Sequence, residues 1–164
     1  MDQNGRRQGS RFRPTLQGCV ATDTRLARAI EECYLDKLQA FAAYTYKSIM
    51  ADREDCAISE LLEEIAEEEQ EHFRLLGELI VALGASPTVR TCIKVPVIGG
   101  GACGEDGRGT LHQMLEAACC EEKKWIDRLQ GIMGKTTDRV VRALLDYIIS
   151  DEQRHAEQLR SALE

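Results

Sequence analysis

The sequence has few residues that would interrupt helices or favour strands. Only 3 of its 164 residues are proline, and aromatic residues make up 5%. Strands are enriched in β-branched and aromatic residues, whereas Ala, Leu, Glu, Lys and Arg, which are abundant here, favour helices. Composition therefore predicts an all-α protein, and the length allows one domain with a substantial buried core.

Several classes of protein lack support in the sequence. No apolar run is long enough to span a membrane, and no apolar segment of a signal peptide follows the N-terminal arginines, so we expect a cytoplasmic location without a membrane partner. The net charge of -7 argues against a nucleic-acid partner. Gly99, Gly100 and Gly101 are not followed by Gly-Lys-Ser/Thr, which argues against a phosphate loop.

The seven cysteines contain no Cys-x-x-Cys pair, so neither a zinc ribbon nor a rubredoxin-type iron site is supported. Four of them fall within helical patterns, where a free thiol often acts as a small hydrophobe: Cys33, Cys56, Cys119 and Cys120. Cys92 and Cys103 fall in a predicted loop, where they either pair, bind metal or stay unpaired; the last is favoured. Free thiols suit a reducing cytosol.

The chain is predicted to divide into a tail and a helical domain. Residues 1–22 are rich in Gly, Gln, Ser and Arg and poor in apolar residues, which predicts a flexible basic tail. Residues 23–164 are predicted to form a single bundle. Helix 1 is predicted to run from Asp23 to about Asp52, and helix 2 from a short link at 53–55 to Gly84. Thr110 and Gly134 are predicted to begin and end helix 3, and Thr136 or Thr137 to begin helix 4.

Link lengths predict the topology of this bundle. The short links make helices 1 and 2 antiparallel, and likewise helices 3 and 4. Helices of about 25 residues are roughly 38 Å long. The connection spanning residues 85–108 is long enough to cross that distance at about 3.3 Å per residue, which allows helices 2 and 3 to run parallel.

Two copies of Glu-x-x-His, Glu69 to His72 and Glu152 to His155, fall where each helix should bury an apolar stripe. In helix 2, one set of residues seven apart is Ile58, Ile65, His72 and Leu79, and a second set is Leu62, Glu69, Leu76 and Leu83. In helix 4, the two sets are Val141, Ile148, His155 and Ala162, and Leu145, Glu152 and Leu159. A carboxylate buried without a partner costs several kcal/mol, so these motifs need a neutralising partner in the core. A bound metal pair would provide it.

The other two helices differ in what they place at this depth. Helix 3 supplies Glu122, between Leu115 and Leu129, with Trp125 predicted in the core. Helix 1 supplies Lys37, seven residues before Tyr44 on the same face. Asp36 is turned about 100° away, so it becomes a ligand only if the helix is rotated or distorted. Six other glutamates of helix 2 are predicted to form a solvated face: Glu60, Glu63, Glu64, Glu67, Glu68 and Glu71.

Together these motifs resemble a known family. Tyr44-Thr-Tyr46, Glu69-Gln-Glu-His72, Glu122-Lys123 and Glu152-Gln-Arg-His155 occur in the order and spacing of the rubrerythrin-like branch of the ferritin superfamily, which includes small bacterial proteins close to spore-coat manganese catalases. The resemblance covers roughly residues 27–163. It implies a ferritin-like four-helix bundle with one long crossover between helices 2 and 3.

The resemblance also implies a function and a site. It implies an iron or manganese oxidoreductase that acts on peroxide or dioxygen, with electrons from an unidentified donor, and a homo-oligomer is expected. The ligands that it implies are Glu69, His72, Glu122, Glu152 and His155, with Tyr44 lining the site. An iron storage protein and a structural bundle with a degenerate metal site are the alternatives.

Lys37 is the departure from the family, because it falls on the position of the helix-1 glutamate. Three carboxylates and one ammonium leave roughly the charge that one divalent ion neutralises. One hypothesis is an asymmetric site with one ion, in which Lys37 takes the space of a terminal ligand. Another is a metal-free core held by the ammonium. Lys37 is also a candidate catalytic residue, since a buried lysine can lose its proton and act as a base. The residues leave one or two ions, and iron or manganese, open.

Overall fold

A computed structural model of the chain describes Leu16 and residues 20–89 and 108–164, with no side-chain placement for 108–110. Its four helices are α1 (Thr24–Ala51), α2 (Cys56–Ala82), α3 (Arg108–Met133) and α4 (Arg139–Ser161). No strand occurs in these ranges, so the prediction of an all-α fold is confirmed. None of the described helices carries a stretch apolar and long enough to cross a membrane.

Aspartates cap three of the helices. Asp23, Asp55 and Asp138 each accept hydrogen bonds from two backbone N–H groups of the following turn, an interaction worth about 1 kcal/mol per helix. Gly84 follows α2 with φ 84°, the left-handed conformation that glycine adopts without strain. The predicted starts of α3 and α4 were wrong by one to three residues: α3 begins at Arg108, before the predicted cap Thr110, and Asp138 rather than a threonine caps α4.

Two clusters of buried apolar residues establish the directions of the helices. The first cluster contains Leu26 from the start of α1, Leu83 after the end of α2, Ile132 from the end of α3 and Val141 from the start of α4. The opposite ends of the helices meet in the second cluster, with Ala51, Leu62, Met114 and Leu159. Helices α2 and α3 therefore run parallel, and the chain between them has to cross the length of the bundle, as predicted.

A band of buried polar residues separates the two clusters. Along α2, for example, Ala66 belongs to the second cluster and Leu75 to the first, while Glu69 and His72 lie between them. All four helices contribute to this band, at the same depth in the bundle. The apolar clusters above and below exclude water from it.

Part of the predicted tail contacts the bundle. Leu16 and Val20 are half-buried and pack against the first cluster. The rest of residues 1–19, together with Cys92, Cys103 and the glycine triplet, lies outside the described residues. The division into a tail and a bundle domain stays a prediction.

The helical cysteines differ in burial. Cys33 lies in the first cluster and Cys119 is half-buried, whereas Cys56 and Cys120 are exposed, which corrects the expectation that all four act as core hydrophobes. Their positions on the outer faces of α2 and α3 explain the difference, because a helix buries only the stripe that faces the core.

We expect Cys33 to be chemically silent in the folded protein. Burial raises its pKa to about 12, and only the thiolate reacts with alkylating agents. Iodoacetamide should therefore modify Cys33 at least about a hundredfold more slowly than the exposed Cys120 until denaturant is added. Peptide mass spectrometry over a time course measures both rates, and equal rates in the folded protein would contradict the packing of α1.

Candidate metal centre

The structure brings all seven residues predicted for the site into the polar band. Each of their side chains is no more than 1% exposed. Helix α1 contributes Lys37 and Tyr44, and α2 contributes Glu69 and His72. Helix α3 contributes Glu122, and α4 contributes Glu152 and His155. Heptad spacing places these residues on the inner faces of their helices, so helical periodicity accounts for their burial.

Four of these residues form a compact donor set. One donor atom from each of Glu69, Glu122, Glu152 and His155 lies within 4.8 Å of all the others. His72 is outside this set: its Nδ1 is 2.9 Å from Glu152 Oε1 and 3.9 Å from Glu69 Oε2. The centre is therefore asymmetric, with the donor set on the His155 side.

Lys37 occupies the centre beside the carboxylates of Glu69 and Glu152. Its Nζ lies 2.5 Å from Glu152 Oε2 and 3.1 Å from Glu69 Oε2, and 4.2 Å from the centre of the Trp125 ring, at cation–π distance. Burial opposes the charged form, but the nearby carboxylates, Glu152 first, outweigh it and raise the pKa of Lys37 above its usual value. A charged Lys37 argues against its role as a base.

The carboxylates of the centre have opposite tendencies to ionise. Burial disfavours the charge on Glu152, yet Lys37 and then His72 hold its pKa well below the usual value. The pKa of Glu122 is raised well above its usual value by burial and by the like charges of Glu152 and Glu69. Tyr44 donates a hydrogen bond from its hydroxyl to Glu122 Oε1. Glu122 is therefore the carboxylate that holds a proton most readily while no cation is close to it.

Two outer carboxylates orient the histidines. Glu68 Oε2 lies 2.6 Å from His155 Nε2, and Asp151 Oδ2 lies 3.2 Å from His72 Nε2. Since the Nε2 atoms are engaged there, the Nδ1 atoms of both imidazoles face the interior of the centre. Metal-binding histidines commonly have such a carboxylate on the second ring nitrogen.

The sequence reasoning missed both of these outer residues. Glu68 was predicted to belong to a solvated face without a role, which is wrong, and Asp151 was not singled out. A signal was present for each, because Glu68 lies seven residues from both Leu61 and Leu75, and Asp151 lies seven residues after Leu144. The long run of glutamates in α2 hid the first of these signals.

The outer carboxylate of Glu68 also changes the charge of His155. Burial opposes the protonated imidazole, but the hydrogen bond with Glu68 and the negative charges of Glu69 and Glu152 outweigh it and raise the pKa of His155 to about 9. The pKa of Glu68 falls to about 2, because His155 and Arg154 outweigh its partial burial. Near neutral pH and without a metal ion, His155 therefore carries a proton that a metal ion would have to displace.

The donor atoms of the centre suit the coordination of a metal ion better than hydrogen bonding among themselves. The buried side-chain atoms in the described ranges that lack a hydrogen-bond partner include one from each predicted ligand: Glu69 Oε2, His72 Nδ1, Glu122 Oε2, Glu152 Oε1 and His155 Nδ1. The 2.9 Å contact of His72 Nδ1 with Glu152 Oε1 lacks the geometry of a hydrogen bond. Buried polar atoms are normally paired, and oxygen with imidazole nitrogen suits Fe²⁺ or Mn²⁺.

Asp36 does not enter the centre. Its side chain is 28% exposed and forms an ion pair with Arg128 on α3. The rotation or distortion of helix 1 that would make Asp36 a ligand does not occur, so α1 contributes Lys37 and Tyr44 alone.

Comparisons with known proteins agree with this architecture. Residues 35–164 match the family model of the ferritin-like domain. Among solved structures, a bacterioferritin from Desulfovibrio desulfuricans, described with a diiron site in different catalytic states, superposes with a TM-score of 0.72 at 21% identity, over 85% of this chain and 78% of that chain. No protein of curated function matches the sequence. Likeness at this identity shows a shared fold, and the family match spans most of the chain. The chain belongs to the ferritin-like family.

Proposed function

We propose that this protein binds one iron or manganese ion per chain and that the bound ion reacts with peroxide or dioxygen. The observation that carries the proposal is the compact donor set of Glu69, Glu122, Glu152 and His155, with four donor atoms within 4.8 Å of one another. The diiron site described for the bacterioferritin supports iron as the ion, and the family resemblance supports a rubrerythrin-like reaction. An iron or manganese ion would supply the change of oxidation state that such a reaction requires.

The charges of the centre favour a single divalent ion. Once Glu122 and His155 have lost their protons to make room for the ion, the carboxylates of Glu69, Glu122 and Glu152 together with the ammonium of Lys37 leave about two negative charges, which one such ion neutralises. The ammonium already lies against the carboxylates of Glu69 and Glu152. A second cation beside it would meet repulsion at low dielectric.

The remaining residues have distinct roles in this proposal. Tyr44 holds Glu122 through its hydroxyl, so this ligand keeps one orientation. Glu69 and Glu152 provide the charge that both Lys37 and the ion require. His155 would hold the ion through Nδ1, and burial of the whole centre would exclude water from it.

Metal affinity should depend steeply on pH. His155 has a pKa of about 9 without metal, so below that pH each ion displaces its proton. We expect the affinity for Mn²⁺ to rise by at least about tenfold per pH unit from neutrality to about pH 9 and then to level off for this group. Calorimetry in buffers of different ionisation enthalpy counts the protons released. An affinity that does not change across this range would contradict the assignment of His155 as a ligand.

Metal content tests the proposal directly. Protein purified without chelator and loaded anaerobically with Fe²⁺ or Mn²⁺ should contain about one ion per chain by elemental analysis, and the loaded protein should consume peroxide faster than the metal-free protein. Glu152→Gln, which removes a carboxylate of the donor set while preserving its size, is the matched variant and should lose the ion. Absence of metal from the wild-type protein would refute the proposal, and two ions per chain would refute its asymmetric form.

A metal-free structural bundle is the second candidate, because Lys37 alone contacts two carboxylates at 2.5 and 3.1 Å. It predicts a protein that stays metal-free under the same loading and melts at the same temperature with and without metal. Iron storage is the third candidate, and the likeness to a bacterioferritin favours it. Storage requires a hollow shell, so a monomer or dimer in analytical ultracentrifugation would argue against it.

The remaining expectations about partners stay proposals. A homo-oligomer agrees with the bacterioferritin-like fold, and the acidic net charge disfavours a nucleic-acid partner. The electron donor and the cytoplasmic location rest on the family resemblance and on the sequence composition.

A further inference from the structure

We propose that Arg154 is a positioning residue that fixes both histidines of the centre at once. Its Nη2 atom donates to Asp151 Oδ1 at 2.9 Å and also to Glu68 Oε2. Those two carboxylates belong to different helices, and each holds a different imidazole. One guanidinium therefore connects α2 to α4 and reaches both His72 and His155 through a single intermediate residue.

The contacts of the two carboxylates show how Arg154 would control the orientation of each histidine. Glu68 uses the same oxygen, Oε2, for His155 and for Arg154, so the position of the guanidinium determines where that oxygen lies. Asp151 uses Oδ2 for His72 and Oδ1 for Arg154, and its side chain is 3% exposed. Movement of Arg154 would therefore shift the carboxylates of Glu68 and Asp151. Both imidazole rings would then rotate, and the Nδ1 atoms would no longer point into the centre.

The environment of Arg154 suits a fixed bridge. Its side chain is 28% exposed, and Nη1 donates to Gln158 at 3.2 Å one turn further along α4. Anchoring at both ends of the guanidinium restricts its rotation. Lysine at this position would keep the charge, but its side chain is shorter and carries no planar fork, so it would hold fewer of these acceptors.

The first test uses the metal-free protein, labelled with ¹⁵N in histidine. The chain has three histidines, and His112 is exposed, so its signal serves as an internal reference. Arg154→Gln should shift the ring signals of His72 and His155 and leave His112 unchanged. Arg160→Gln, an exposed arginine on the same helix, should shift neither. A shift confined to His155, the sequence neighbour of Arg154, would overturn the bridge, as would the absence of any shift.

The second test rests on the proposed metal site and uses metal as the probe. Arg154→Gln should weaken Mn²⁺ binding by about 10- to 100-fold and change the visible spectrum of bound Co²⁺, which reports ligand geometry. Arg154→Lys should remain at least about fivefold weaker than wild type; full recovery would show that only charge matters. A faster loading rate with unchanged affinity and spectrum would make Arg154 a gate and overturn positioning.

The two tests fail in distinguishable ways. If wild-type protein binds neither Mn²⁺ nor Co²⁺, the proposed function fails, while the histidine signals of the metal-free protein still decide the role of Arg154. If Arg154→Gln does not fold, Arg154→Lys carries the same comparison of His72 and His155, because it retains the charge and most of the side-chain length.

Discussion

Lys37→Glu should raise the metal content of the protein from about one to about two ions per chain. The substitution replaces the ammonium beside Glu69 and Glu152 with a carboxylate, so the centre gains roughly the negative charge that a second divalent ion neutralises. It also supplies an oxygen ligand beside Glu69 Oε2, which like His72 Nδ1 is buried without a hydrogen-bond partner. Elemental analysis after anaerobic loading with Fe²⁺ or Mn²⁺ measures the change.

Lys37→Met is the matched control, because it removes the charge without adding a ligand. Its metal content should stay at about one ion per chain. Its metal-free form should lose about 3–5 kcal/mol of stability, the usual effect of breaking a buried ion pair. Two ions in both variants would mean that charge alone limits the site. One ion in Lys37→Glu at saturating metal would show that Lys37 does not exclude the second ion.

Removal of the two histidines should have very unequal effects on the first ion. His155 belongs to the compact donor set and His72 does not. We therefore expect His155→Ala to weaken Mn²⁺ binding by at least about a hundredfold, and His72→Ala to weaken it by less than about tenfold. Both variants leave a cavity of similar size in the same buried band, so each serves as the control for the other.

Combining substitutions makes this test stricter. His72 should become a ligand only when a second ion is bound, so Lys37→Glu together with His72→Ala should return the metal content to about one ion per chain. Residues that share a site are expected to be non-additive in this way. Equal effects of the two single histidine variants, measured by competition with a chelator of known affinity, would refute the asymmetric centre.

Much of the centre could be predicted from helical periodicity. Glu69, His72, Glu122, Glu152 and His155 interrupt apolar stripes at seven-residue spacing, and all five lie buried in the polar band. Lys37 was placed at the same depth by its distance from Tyr44. Periodicity is a local property of the chain, so a sequence contains it in full. The directions of the helices followed from link lengths for the same reason.

The pairing of residues on different helices was decided by the tertiary structure. The sequence does not show that Glu68 meets His155, that Asp151 meets His72 or that Arg154 joins the two carboxylates. Those contacts depend on the relative rotation of α2 and α4, and a rotation of a few tens of degrees would expose Glu68 like its glutamate neighbours.

The asymmetry of the centre has the same origin. From the sequence, His72 and His155 occupy equivalent places in two equivalent motifs. Only packing brings the ammonium of Lys37 into contact with Glu69, Glu152 and the ring of Trp125. Packing also leaves the compact donor set on the His155 side. The sequence by itself determined the fold and the identity of the buried polar residues, because link lengths and helical spacing encode them. The tertiary structure decided which of them form one donor set, because contacts between helices are long-range.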